Sequence, residues 1–154
     1  MLEKLFYAES IAIIGASKKV TKRGYQSIRT LLDEKYEGMI FPVNPKEKKI
    51  LGLTCFPNVS AIPYEVDLAL ITTPAQTIPP ILEGCGKKGI KGAVIIAGGF
   101  SEVGEKGGSL EKEIVTIAKK YGIRIIGPNT SGMMNQNTKM NLVGIRGTPA
   151  GDIA

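Results

Sequence analysis

Apolar runs of four or five residues alternate along this chain with longer segments in which apolar residues recur every three or four positions. The short runs predict strands at Ser10–Ile14, Met39–Val43, Leu68–Thr72, Ala93–Ala97 and Ile123–Ile126. Between them, Tyr25, Ile28, Leu31 and Leu32 share one face of a helix predicted from Gly24 to Tyr36, with Gly38 as its stop signal. Ile78, Ile81, Leu82 and Cys85 form the stripe of a second helix. Thr77 is its expected N-cap, Pro79 and Pro80 fall in its first turn, and Gly89 closes it. Leu110, Ile114, Ile117, Ala118 and Tyr121 mark a third helix, entered through a glycine-rich stretch from Val103 to Gly108 and ended by Gly122. The run from Pro45 to Tyr64 reads as irregular, with a short helical turn near Ser60. Strands alternating with amphipathic helices predict an α/β fold, a doubly wound parallel sheet covered on both faces, in one domain. That domain is expected over residues 1–135. Residues 136–154 read as a tail and a linker into a following domain, with a further strand near Met140–Val143 and another beginning at Asp152-Ile153-Ala154.

Composition narrows the function. A chain of 154 residues, 43% hydrophobic and 22% charged, has the makings of an ordinary soluble globule. It has no apolar stretch near the roughly 20 residues that span a bilayer. The N-terminal residues lack a signal-peptide core, so a cytoplasmic location is expected. The net charge of +6 favours anionic partners. Aromatics make up 6% and are not interleaved with arginine, which argues against nucleic acid. No membrane partner is expected either. There is no histidine, which removes Ser-His-Asp and Cys-His catalysis and any phosphohistidine within this chain. Cys55 and Cys85 lack metal-site spacing and are expected as free, buried thiols. Neither catalytic nor metal-binding residues are assigned.

The candidate chemistry sits in the loops that follow the strands, because an open parallel sheet binds ligands outside its carboxyl edge. The first strand ends in Gly15-Ala16-Ser17-Lys18-Lys19, where Gly15 permits a tight turn and Ser17 with its neighbours can donate to phosphate. The spacing is not GxGxxG, and Gly24 lies well along the chain. The second strand ends in Val43-Asn44-Pro45-Lys46, where a plain NAD site usually carries an acid for the ribose hydroxyls. Neutral and basic groups there suit a ligand with an extra phosphate, such as coenzyme A. Thr73-Pro74, Ala97-Gly98 and Gly127-Pro128-Asn129-Thr130 complete a set of five loops along one edge. Glu102 and Glu105 read as solvated loop residues.

The ordered segments IAIIGAS, FPVNPK, DLALITTPA, GAVIIAGGF and GIRIIGPNTSG resemble the N-terminal CoA-binding domain of the NDP-forming acyl-CoA synthetases, similar to the succinyl-CoA synthetase alpha subunit. The resemblance runs from Ser10 to Asn135 and implies a Rossmann-like fold with CoA at the strand ends. It implies pyrophosphate contacts at Ser17, Lys18, Lys19 and Val20. It implies adenosine or pantetheine contacts at Val43, Pro45, Lys46, Thr73 and Pro74, a place for Ala97 and Gly98 in the fourth loop, and Asn129 near the CoA thiol. Thr130 stands where the family often has cysteine. The implied partners are CoA or acyl-CoA and the remaining synthetase domains or subunits, in an assembly. The phosphohistidine and nucleotide-grasping domains of that family are missing from this chain, so it is not expected to be catalytic alone. Gly151-Asp152-Ile153-Ala154 resembles the lead-in to a following domain. Two other readings stay open: a stand-alone CoA-binding regulatory module, and an NADP-binding redox protein or sensor in which Lys46 accepts the extra phosphate.

Overall fold

The computed structural model describes residues 2–145 and Gly151. Its centre is a five-stranded sheet of β1 (Ser10–Ile14), β2 (Met39–Val43), β5 (Leu68–Ile71), β6 (Gly92–Ile95) and β7 (Arg124–Ile126), in the order β2-β1-β5-β6-β7. All neighbouring pairs are parallel. Every residue of β1, β5 and β6 is buried, which explains why these strands read as unbroken apolar runs. Successive side chains take opposite faces and divide the core in two. Ile11 and Ile13 pack with Ile28, Leu31, Met140 and Leu142 on one side. Ala12 and Ile14 join Ile78, Leu82, Ile114 and Ile117 on the other. The expected Rossmann-like, doubly wound single domain is therefore the fold observed. Both cysteines are free and buried, as expected.

The helices are α1 (Leu2–Phe6), α2 (Arg23–Asp33), α3 (Ile78–Lys88) and α4 (Glu105–Tyr121). Three expectations at their ends need correction. The helix α2 stops before Tyr36 because Lys35 adopts a left-handed φ of 58°. The Tyr36 amide then bonds back to Leu31 and that of Lys35 to Leu32, so a lysine takes the place usually given to glycine. Thr77 does not cap α3: a 3-10 turn, Ala75–Thr77, runs directly into the helix, and the Thr77 hydroxyl donates to the Pro74 carbonyl at 2.7 Å. The helix α4 begins at Glu105 and takes Gly107 and Gly108 into its first turn. A Cβ at residue 107 would lie 1.7 Å from the Phe100 carbonyl oxygen, so glycine is what lets this turn dock on the loop after β6. Gly89 and Gly122 end their helices in left-handed conformation, as expected.

The stretch from Pro45 to Tyr64 holds the expected helical turn, a 3-10 turn at Val59–Ala61. It also holds a hairpin that the pattern did not show, β3 (Lys49–Ile50) with β4 (Leu53–Thr54). Its two-residue turn is Leu51-Gly52, both at positive φ. A second hairpin, β8 (Met134–Asn135) with β9 (Met140–Asn141), packs on α2. Residue 135, the expected end of the domain, falls inside this hairpin, and Met140, Asn141 and Leu142 are fully buried. The expected strand at Asp152–Ala154 lies outside the described residues.

Candidate ligand cleft at the carboxyl edge

The sheet order reverses between β1 and β5: the chain leaves β1 for β2 on one side and returns to β5 on the other. The loops after these strands diverge there and leave a crevice. An open cleft of about 1000 Å³ occupies this place. Gly15, Val43, Asn44, Pro45, Lys46, Thr73 and Pro74 line it, so three of the five expected loops meet in one site. The far wall comes from Pro57 to Ser60, from Thr77, and from Pro80, Ile81 and Gly84 of α3.

The turn after β1 is built by two glycines. Gly15 has φ of 88°, and a Cβ on it would meet Thr72 Oγ1 at 2.5 Å. A Cβ on Gly24 would lie 2.2 Å from the Gly15 carbonyl oxygen. Gly24 thus seats the start of α2 directly on the turn, the role of the last glycine in a dinucleotide fingerprint, reached here at a longer spacing. The Gly15 and Ala16 amides both donate to the Val43 carbonyl at 3.2 Å. Asn44 Nδ2 donates to the Ala16 carbonyl at 2.7 Å, and Asn44 Oδ1 accepts from the Lys46 amide at 2.8 Å. Asn44 therefore locks the first two loops together with its own side chain.

Beyond this lock most amides of the loop after β1 have no protein acceptor among the described residues. Ser17 Oγ accepts from the Lys19 amide at 3.1 Å. The amides of Ser17, Lys18, Val20 and Thr21 find no protein acceptor among the described residues. Lys18, Lys19 and Val20 are exposed on this loop, outside the lining of the cleft itself. Lys18 Nζ lies 2.6 Å from Glu47 Oε2 and so joins the first two loops. Lys22 and Lys46 line the cleft and make no ion pair among the described residues, and no carboxylate lines it. Lys22 was missed by the sequence reading; its signal was its place just ahead of the first turn of α2.

The remaining expected residues gather at the other end of the edge. A Cβ on Gly98 would lie 3.2 Å from Asn129 Oδ1, so the loops after β6 and β7 touch. Asn129 sits at a left-handed φ of 56°, and its amide donates to the Ala97 carbonyl at 3.0 Å. Thr130 Oγ1 accepts from the Gly132 amide at 3.3 Å. Ala97, Gly98, Asn129 and Thr130 do not line the cleft. Glu102 is exposed but not merely solvated: its carboxylate accepts from the Gly99 and Phe100 amides at 2.6 and 3.1 Å. The Gly99 amide holds its pKa below the ordinary carboxylate value. A second missed residue is Arg23, whose Nη2 donates to the carbonyls of Ser131, Leu142 and Val143 at 2.6–2.8 Å. It ties the start of α2 to the loop after Asn129.

Among the described residues, no group of three or more His, Cys, Asp or Glu side chains is placed to hold a metal. No helix there is long and apolar enough to cross a membrane.

Comparison with known proteins agrees with this geometry. Residues 9–136 match the family described as a CoA binding domain. An ADP-forming acetate–CoA ligase II of Archaeoglobus fulgidus is 51% identical over 134 residues, 87% of this chain and 20% of that protein. The alpha subunit of the Pyrococcus furiosus ADP-forming acetate–CoA ligase II is 44% identical over all of this chain and 34% of its own length. The solved dinucleotide-forming acetyl-coenzyme A synthetase 1 of Ca. Korarchaeum cryptofilum, in complex with phosphate and ADP, superposes with a TM-score of 0.89 at 41% identity, covering 92% of this chain and 30% of that one. The chain thus spans between about a fifth and a third of the length of these relatives. Fold, loop geometry and sequence agree that it belongs to the family of CoA-binding domains.

Proposed function

We propose that this chain binds coenzyme A along the carboxyl edge of its sheet, as the CoA-presenting domain of an ADP- or GDP-forming acyl-CoA synthetase. The observation that carries this reading is the cleft at the β1/β5 switch point, which pairs a basic rim, free of lining carboxylates, with an apolar wall. The adenosine lies against Val59, Pro80, Ile81 and Gly84. The ribose phosphate faces Lys46 and Lys22, and the pyrophosphate meets the open amides of the Ser17–Thr21 loop, a backbone arrangement suited to anions. The pantetheine arm then runs past Thr73 and Pro74, over Gly98, and brings the thiol towards Asn129.

In this reading an acyl phosphate is made by the rest of the synthetase. The CoA sulfur takes the acyl group, phosphate leaves, and the thiol proton is lost. This chain contributes binding and orientation, which make the transfer effectively intramolecular. It contains no histidine to carry a phosphoryl group.

Calorimetric titration with CoA, NAD and NADP tests the reading. Saturable binding of CoA, with NADP much weaker, is expected. Tight NADP binding with no CoA heat would overturn it. The chain by itself is expected to form no acyl-CoA from acid, nucleotide and CoA, and turnover would contradict the positioning role.

A further inference from the structure

The cleft lining carries lysines and no acid, yet a carboxylate follows directly on its lining residue Lys46. Glu47 lies just beyond Pro45 and Lys46 and holds the Lys18 ammonium at 2.6 Å. The pair joins the loop after β1 to the loop after β2. Lys18 is well exposed on its side of the bridge, with 61% of its side chain open to solvent, against 27% for Glu47. The Lys18 amide and its neighbours at Ser17, Val20 and Thr21 have no protein acceptor among the described residues. The loop is thus open to an anion at its backbone, while Lys18, one of its two lysines, is already occupied by an internal one.

We infer that Glu47 is a specificity-determining residue that competes with the incoming phosphates for Lys18. The inference rests on the pyrophosphate position proposed above. In the free protein the carboxylate neutralises Lys18 and keeps the two loops together. A pyrophosphate carries more charge than a carboxylate and offers more acceptor oxygens, so it draws Lys18 away from Glu47. A weakly charged ligand does not. Glu47 thereby lowers affinity for every phosphate ligand and favours those with enough charge to break the pair.

Four proteins test this by calorimetry at low ionic strength: wild type, Glu47→Gln, Lys18→Met and the double variant, each titrated with CoA and with inorganic pyrophosphate. Glu47→Gln is expected to bind both ligands roughly two- to fivefold more tightly, the span that exposed ion pairs cover. Lys18→Met is expected to bind both more weakly. In the Lys18→Met background the Glu47 change is expected to have no effect. Unchanged or weaker binding by Glu47→Gln would overturn the inference and make Glu47 a residue that orients Lys18. Equal tightening with and without Lys18 would also overturn it, by reducing it to a long-range charge effect. The CoA-binding reading fails separately: if no variant binds CoA while pyrophosphate shows the expected pattern, the competition stands and the CoA assignment falls. If neither ligand binds any variant, both fall.

Discussion

The two ends of the carboxyl edge are built on the same sheet but are finished differently. At the β1/β5 end, backbone amides and lysines are left open around a cleft of about 1000 Å³. At the β6/β7 end several backbone groups are closed by nearby partners: Glu102 takes the Gly99 and Phe100 amides, and the Ala97 carbonyl takes that of Asn129. A topological switch point opens a crevice without any special side chain, whereas neighbouring strands connected in order bring their loops together. The open end can hold a ligand with what this chain supplies. The closed end is a fixed wall against which a thiol can be placed, and in the proposed enzyme its reactive partner comes from elsewhere.

The largest break in this contrast is expected from filling the open end. A Cβ on Gly84 would lie 3.3 Å from Val59 Cγ2, so Gly84→Leu puts a side chain into the space between α3 and the Val59 turn. Loss of about 3 kcal/mol of CoA binding, roughly a hundredfold, is expected by calorimetry. Retained affinity would place the adenosine elsewhere.

Arg23 joins the two ends, and Arg23→Ala leaves three carbonyls without their charged donor. A stability loss of about 2 kcal/mol in denaturant unfolding is expected. Hydrogen exchange should quicken at Ser131–Val143 more than at β1, and uniform quickening would contradict the clamp.

The smallest effect belongs to Glu102. Its folded pKa is depressed, chiefly by the Gly99 amide, so its contribution to stability is present above its ordinary value of 4.5 and is lost as pH falls through the lower folded value. Glu102→Gln is expected to flatten that acid-side loss and to leave stability at neutral pH only slightly changed. An unaltered acid-side slope would remove the carboxylate from its role on the loop.

The contrast also explains what could be read from the chain. β1, β5 and β6 are legible because strands buried on both faces need uninterrupted apolar residues. The hairpin of β3 and β4 is not, because Leu51 stands at a turn position where Asn or Asp gives the usual signal. The Lys35 helix end is hidden for the same reason: a left-handed lysine looks like any other. At the site, Val43–Lys46 and Thr73–Pro74 are legible as loops at strand ends. Gly24 was set aside for its spacing, although contact rather than spacing defines its role. Lys22 and Arg23 escape notice, and Glu102 reads as merely solvated, because their partners are backbone groups or open space, neither of which leaves a mark in sequence.

A crystal structure of this chain with CoA tests the central claim most directly. The adenine is expected against Pro80, Ile81 and Gly84, the pyrophosphate on the Ser17–Thr21 loop, and the sulfur beside Asn129. CoA lying outside the β1/β5 cleft, or filling it with its thiol directed away from Asn129, would contradict it.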